Sequence, residues 1–115
     1  MMSEEHMMAA SLTLGTARRT DGKLVLTAAG EIDLSNIDVF DQALTTATSE
    51  AVDSGGTLTV DLRAVEYLDS SAINALFTRA DHIDVIAHPI LIPILKISGL
   101  AELVTIHSAP PAAED

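Results

Sequence analysis

The chain has no cysteine and no tryptophan, and aromatic residues make up only 3% of its 115 residues. Without cysteine there can be no disulfide, no thiolate nucleophile and no cysteine-based metal site, and this composition suits a cytosolic protein. Because aromatic side chains are scarce, the core has to be built from Leu, Ile, Val and Ala. The length predicts one domain with a single hydrophobic core.

Basic residues are also scarce. Six Lys and Arg stand against 17 Asp and Glu, which gives a formal net charge of −11. This excludes a nucleic-acid-binding role, because no basic stripe is present to release counterions from phosphates, and it favours a protein partner with a basic or apolar surface. No apolar run approaches the ~20 residues of a membrane span. The acidic Glu4 and Glu5 make a signal peptide unexpected.

The polar residues do not indicate catalysis. His6, His82, His88 and His107 share no ligand spacing, so we expect no metal and no cofactor. Solvated surface acids explain the pairs Asp38/Asp41 and Asp81/Asp84 better than acid–base chemistry does. No Gly-rich phosphate loop occurs. We therefore expect a protein that is not an enzyme.

The hydrophobic pattern predicts a hairpin followed by alternating helices and strands, which is an α/β plan. Asp21-Gly22 is a turn signal between strands at residues 11–17 and 23–29. Helices are predicted from Ser35 or Asn36 to about Ser49, over 71–79, and from Pro89 onward. Further strands are predicted over 57–62, 83–87 and 103–107, and right-handed crossovers should make the sheet mostly parallel. The domain then spans 11–107, between a flexible tail at 1–10 and a flexible acidic tail at 108–115.

The most informative stretch is Asp69-Ser70-Ser71, which joins an apolar strand to an apolar-periodic helix. It places two hydroxyls at a helix N-terminus, which favours anionic groups, so a serine here is suited to carry a phosphate. The alternative is that Ser70 or Ser71 only caps the helix.

Four motifs, in this order, resemble the STAS domain and in particular the bacterial anti-sigma factor antagonists. They are Gly30-Glu31-Ile32-Asp33, Val60-Asp61-Leu62, Tyr67-Leu68-Asp69-Ser70-Ser71 and Ile97-Ser98-Gly99-Leu100. The resemblance covers roughly residues 12–106. It implies a STAS (SpoIIAA-like) single domain, with an N-terminal β-hairpin and βαβ units that form a mostly parallel sheet with packed helices.

The resemblance also implies partner switching. The unphosphorylated antagonist binds an anti-sigma factor that is also a serine kinase, and this frees a sigma factor for transcription. Phosphorylation at Ser70, with Ser71 as the fallback, ends the association, and a serine phosphatase restores it. The implied partner-binding residues are Glu31, Asp33, Asp69, Ser70, Ser71, Ala72 and Asn74. Glu31 and Asp33 have an alternative interpretation as solvated loop acids, with Asp33 assisting a cap.

The chain departs from the antagonists in three places. Ala72 replaces the usual Gly and could hinder a kinase or a partner helix, and Asn74 occupies a position that is commonly small. The second helix is shorter by about two turns. Residues 89–95 are apolar nearly all round, and Pro93 is predicted to kink the third helix.

These departures support an alternative function. The chain would then be a non-phosphorylated STAS scaffold, or an accessory subunit of a sensory or transporter complex. An exposed apolar helix also predicts a contact with another protein. We expect this contact to be a homodimer formed through the segment from Ile90 to Leu95. The remaining alternative is that the tails cover this segment or that it is distorted into a loop.

Overall fold

The computed structural model describes residues 11–109. Its five strands are β1 (Leu12–Arg18), β2 (Leu24–Ile32), β3 (Leu58–Leu68), β4 (Ile83–Ala87) and β5 (Ile106–Ser108). They form one sheet in the order β1-β2-β3-β4-β5, in which β1 is antiparallel to β2 and the other neighbours are parallel. The predicted hairpin and mostly parallel α/β sheet are therefore confirmed.

Of the two predicted domain ends, only the C-terminal one, at residue 107, has described residues on both sides of it. β5 begins later than the predicted strand and includes Ser108, and the amide of Ala109 donates to the carbonyl of Ala87 at 3.0 Å. The ordered sheet thus extends past the boundary expected at residue 107. The tail predicted at 1–10 and the rest of the acidic tail, 110–115, lie outside the described residues.

Three α-helices complete the fold: α1 (Ile37–Asp53), α2 (Ser70–Thr78) and α3 (Ile92–Ile97). Side chains from one face of the sheet pack with the helices into an aliphatic core that includes Leu26, Val60 and Val85, all fully buried. α1 continues one turn beyond the predicted end at Ser49, because Ala51 is still buried in the core.

The predicted end of the third strand at Leu62 is wrong, since β3 continues to Leu68. The pairing of β2 with β3 changes register between Thr27 and Ala29 and again between Gly30 and Glu31. Each change adds one residue to β3, which is a β-bulge and breaks the alternation that sequence reasoning uses. Asp61 and Arg63 flank the first bulge.

Asp61 holds this bulge in place. Its carboxylate accepts hydrogen bonds from the backbone amide of Arg63 at 3.0 Å and from the Arg63 guanidinium at 2.7–3.2 Å. Burial opposes the charged form, but these bonds hold the pKa of Asp61 below its usual value. The charged Asp61 carboxylate and the Arg63 guanidinium therefore stabilise β3 at the point where its register shifts.

The third helix also differs from its prediction. Pro89–Leu91 form a 3-10 turn, and α3 begins at Ile92. Pro93 lies in the first turn of α3, where its missing amide breaks no helical hydrogen bond, so it produces no kink. The expected exposure of this apolar segment holds only in part, because Leu91 and Leu95 are buried in the core whereas Ile90 and Ile94 are exposed.

Candidate functional site

The parallel arrangement of β2 and β3 brings the ends of these two strands together. Ile32 is paired with Leu68, and the amide of Asp69 donates to the carbonyl of Ile32 at 3.1 Å. Asp33 follows β2 directly, and Ser70 opens α2. The motifs Gly30-Glu31-Ile32-Asp33 and Tyr67-Leu68-Asp69-Ser70-Ser71 are therefore adjacent at the C-terminal ends of these two strands.

Asp69 is the N-cap of α2, so the alternative interpretation, in which Ser70 or Ser71 caps the helix, is wrong. One carboxylate oxygen of Asp69 accepts from the amides of Ser71 at 2.9 Å and Ala72 at 3.2 Å, and from the Ser71 hydroxyl. The second oxygen accepts from the amide of Leu34 at 3.2 Å, in the loop after β2. Asp69 thus caps the helix and also fastens the β2–α1 loop to it.

This cap changes the electrostatics of the helix end. The amides of Ser71 and Ala72 already point at the Asp69 carboxylate, so they are not free to receive another anion. Ser70 is exposed and is not needed for the cap. The helix N-terminus therefore presents a free hydroxyl next to a fixed negative charge.

The hydrogen bonds to Asp69 lower its pKa. The Ser71 hydroxyl is the main cause; burial acts in the opposite direction, and the amides of Ala72, Ser71 and Leu34 add to the lowering. A carboxylate whose pKa is lowered by folding stabilises the protein above the ordinary value of about 4, and this stabilisation is lost as the pH falls through the lowered pKa.

Asp69→Asn should therefore destabilise the protein most at neutral pH, because asparagine keeps one capping oxygen but loses the charge and the second acceptor. Urea unfolding of both proteins should show a difference in free energy of unfolding that narrows as the pH falls below about 4. A difference that stays constant across this range would contradict the role given to the charge.

The loop between β2 and α1 has its own hydrogen bonds. Asp33 accepts from the amide of Ser35 at 2.9 Å and from its hydroxyl at 2.6 Å. Asn36 occupies the N-cap position of α1, but its side chain accepts from the amide of Asp33 and donates to the carbonyl of Glu31. Asp33 therefore stabilises this loop, whereas the side chain of Glu31 is exposed.

Ala72 and Asn74 lie on opposite sides of α2. Ala72 is fully buried in the core, which corrects its inclusion in a partner-binding surface, because its side chain cannot reach a docked protein. Asn74 is exposed and helps to line a groove of about 400 Å³ between α1 and α2. The groove is lined by Ile37, Asp38, Asp41, Ser71, Asn74, Ala75, Thr78 and Arg79.

Sequence reasoning missed several residues that surround Ser70. Leu34 is 76% exposed and Tyr67 is 50% exposed, and Tyr67 is paired with Glu31 across β2 and β3. Tyr67 belongs to the motif that contains Ser70, so that motif already carried a signal for it. Asp38 and Asp41 in the groove could not be found in this way, because their helical spacing is equally typical of any solvated face.

Within residues 11–109, no cluster of three or more His, Asp or Glu is arranged to hold a metal ion. In that same part of the chain, no helix is long and apolar enough to span a membrane.

Comparisons with known proteins agree with this architecture. Residues 16–105 match the family model described as Mlab, STAS domain. An anti-sigma factor antagonist from Mycobacterium paratuberculosis is similar in structure, with a TM-score of 0.73, 26% identity, and 91% of this chain and 90% of that chain covered. A search of curated proteins found no match.

Two structures of SpoIIAA share the fold. The unphosphorylated form of this anti-sigma factor antagonist has a TM-score of 0.64 and 15% identity, over 86% of this chain and 90% of that chain. The phosphorylated form of SpoIIAA, a Bacillus cell fate determinant, has a TM-score of 0.58 and 16% identity, over 86% of this chain and 93% of that chain.

Proposed function

Because the chain belongs to the STAS-domain family described as Mlab, STAS domain, we propose that it is an anti-sigma factor antagonist switched by phosphorylation of Ser70. In the unphosphorylated form it binds an anti-sigma factor that is also a serine kinase, and a sigma factor is freed. Phosphorylation of Ser70 ends this association, and a serine phosphatase reverses it. The Mycobacterium paratuberculosis protein, an anti-sigma factor antagonist 26% identical to this chain, supports the assignment.

This proposal rests on the exposure of Ser70 next to a helix cap in which the Asp69 carboxylate already accepts from the Ser71 and Ala72 amides. A kinase can reach the hydroxyl, because Ser70 is exposed and the Asp69 cap does not use it. Ser71 is less suited to accept a phosphate, since its hydroxyl already donates a hydrogen bond to Asp69 and its side chain is partly buried. The structure therefore favours Ser70 over the fallback residue.

A phosphate on Ser70 would act through repulsion at the surface. Phosphoserine adds about −1.5 to −2 charges at neutral pH. The amides of Ser71 and Ala72 already bond to Asp69, so the new charge stands next to the Asp69 carboxylate. A partner that fits the neutral hydroxyl then meets a dianion, while the fold of this domain need not change.

The proposed contact surface is acidic with two apolar anchors. Glu31, Asp33, Asp69 and Asn74 are the polar candidates, and Leu34 and Tyr67 are the exposed apolar ones. Large apolar side chains at the centre of a surface commonly contribute most of the binding free energy, whereas surrounding charges steer association. This surface suits a partner that presents Arg or Lys around an apolar patch.

Incubation with the cognate serine kinase and ATP, followed by intact mass measurement, tests the proposal. We expect one added phosphate on the wild type and on Ser71→Ala, and none on Ser70→Ala. Ser71→Ala is the matched control, because it removes the neighbouring hydroxyl and leaves Ser70 in place. Modification of Ser70→Ala at the wild-type rate would overturn the assignment of the acceptor.

The alternative function is a non-phosphorylated STAS scaffold or an accessory subunit of a sensory or transporter complex. The exposed isoleucines around α3 favour it, because they form a second candidate contact surface that the switch does not use. Ala72 does not favour this alternative, since its side chain is buried and does not obstruct Ser70. A stable complex with a partner that never phosphorylates the chain would support this alternative.

A further inference from the structure

From the apolar surface around α3, we infer that this face binds a second copy of the chain, forming a weak symmetric dimer. The α3 face is defined here as Ile90, Ile94, Ile97 and Leu103. All four side chains are exposed, and Ile97 is exposed to 85%. The buried Leu91 and Leu95 hold the segment against the core, so the exposed residues are fixed in place.

The spacing of the isoleucines gives the α3 face its shape. Ile94 and Ile97 are three residues apart on α3, which places them on one side of the helix, and Ile90 lies in the 3-10 turn that leads into it. Leu103 follows the next 3-10 turn, Leu100–Glu102, which packs against α3. A ridge of this kind can pack against an identical ridge, because a two-fold contact uses the same patch on both copies.

The charge distribution identifies a second copy as the occupant. The chain carries a net charge of −11, so two copies repel each other wherever acidic surfaces meet. Residues 85–101 contain no Asp or Glu, although the chain has 17 of them. The α3 face is thus a surface on which two such acidic molecules can approach with few carboxylates in the contact, Glu102 being the nearest in sequence.

Two charges of opposite sign, Lys96 and Glu102, lie close in sequence to the α3 face. Lys96 forms no ion pair within residues 11–109, whereas Arg18, Arg19, Lys23, Arg63 and Arg79 each do. Glu102 directly precedes Leu103 and likewise has no basic partner in the described part of the chain. In a two-fold contact, Lys96 of one copy pairs with Glu102 of the other, and this pair is formed twice.

The α3 face is separate from the surface around Ser70. β4 pairs with β3 only as far as Leu62, and β3 continues for six residues to Leu68. The two bulges absorb two of these residues, so the end of β3 lies only about four residues of β2, roughly 13 Å, beyond the level at which β4 ends. The α3 face shares no residue with the surface proposed to bind an anti-sigma factor, and the dimer inference does not rest on the switch.

Sedimentation velocity from low micromolar to millimolar protein tests the inference. We expect a reversible monomer–dimer equilibrium in which Ile97→Glu raises the dissociation constant at least about tenfold. Ile97 is almost fully exposed, so this variant should fold. Val39→Glu, at a 58% exposed position on α1, is the matched control and should leave the constant within about twofold.

The salt dependence of the dissociation constant and two charge-reversal variants distinguish a dimer from binding of another partner to the α3 face. Higher salt should strengthen the dimer, because it screens the repulsion between two acidic molecules. Lys96→Glu and Glu102→Lys should each weaken it, and the double variant should restore it. A wild type that stays monomeric at millimolar concentration, or that uses the α3 face only to bind lipid vesicles, would overturn the inference. Unchanged phosphorylation of Ile97→Glu would show that this result is independent of the switch.

Discussion

Ser70→Glu is expected to weaken binding to the cognate anti-sigma factor by about 100-fold or more, whereas Ser70→Ala should bind like the wild type. The glutamate adds a charge beside Asp69, whose carboxylate already occupies the first helix amides. A charge that is buried in an interface without a partner loses its hydration and costs several kcal/mol, and about 1.4 kcal/mol corresponds to a tenfold change in affinity.

Titration calorimetry or a quantitative pull-down measures this effect. Ser49→Glu is the matched control, because it makes the same change at an exposed position on α1 that lies outside the proposed surface. It should alter affinity by less than about threefold, through long-range charge alone. If Ser70→Glu bound as tightly as Ser49→Glu, charge at residue 70 could not be the switch.

Gly30→Ala is expected to destabilise the domain by about 3 kcal/mol or more, because two separate constraints require glycine. Gly30 has a φ of +113°, which side-chain-bearing residues rarely adopt. A Cβ at this position would also meet the backbone carbonyl oxygen of Ser11. That carbonyl already accepts from the amide of Glu31 at 2.9 Å, so it cannot easily move away.

Gly15→Ala provides the control for this loss. Gly15 lies in the neighbouring strand β1, has no positive φ, and would have no atom within 4 Å of an added Cβ. Urea unfolding should therefore show a change within about 0.5 kcal/mol for Gly15→Ala. Equal losses in the two variants would contradict the claim that the positive φ of Gly30 and the nearby Ser11 carbonyl require glycine at this position.

Much of the fold could be predicted because local signals agreed with the final packing. Asp21-Gly22 predicted the hairpin turn, and Gly22 has the left-handed φ of 88° that such turns use. β4 has the bounds predicted for it, since Ile83, Val85 and Ala87 alternate toward the core. Gly99 ends the third helical region with a φ of 89°, as its position suggested.

The errors arose where tertiary structure overrides local pattern. The alternation in β3 fails at Arg63 because two bulges shift the register, and no local rule locates a bulge without the partner strand. The cap of α2 could not be assigned either, because Asp69, Ser70 and Ser71 are all good capping residues. The structure shows that Asp69 was the favoured one, since it can also accept from Leu34 on the neighbouring loop.

The site was predictable as a set of motifs and not as a surface. Similar motifs placed Glu31, Asp33 and Ser70 at the ends of adjacent strands, but burial of a single side chain depends on the whole packing. Ala72 shows this, since only the completed fold reveals that its methyl group faces the core. The exposure of Leu34 and Tyr67 also depends on where the loop after β2 comes to rest.

The position of Tyr67 has a practical consequence. It is the only tyrosine in a chain without tryptophan, so it dominates the intrinsic fluorescence. Its ring is half exposed, three residues before Ser70 and paired with Glu31 across the strands. The protein thus contains a native optical reporter at the surface proposed to change partners, and its emission can follow association without any attached dye.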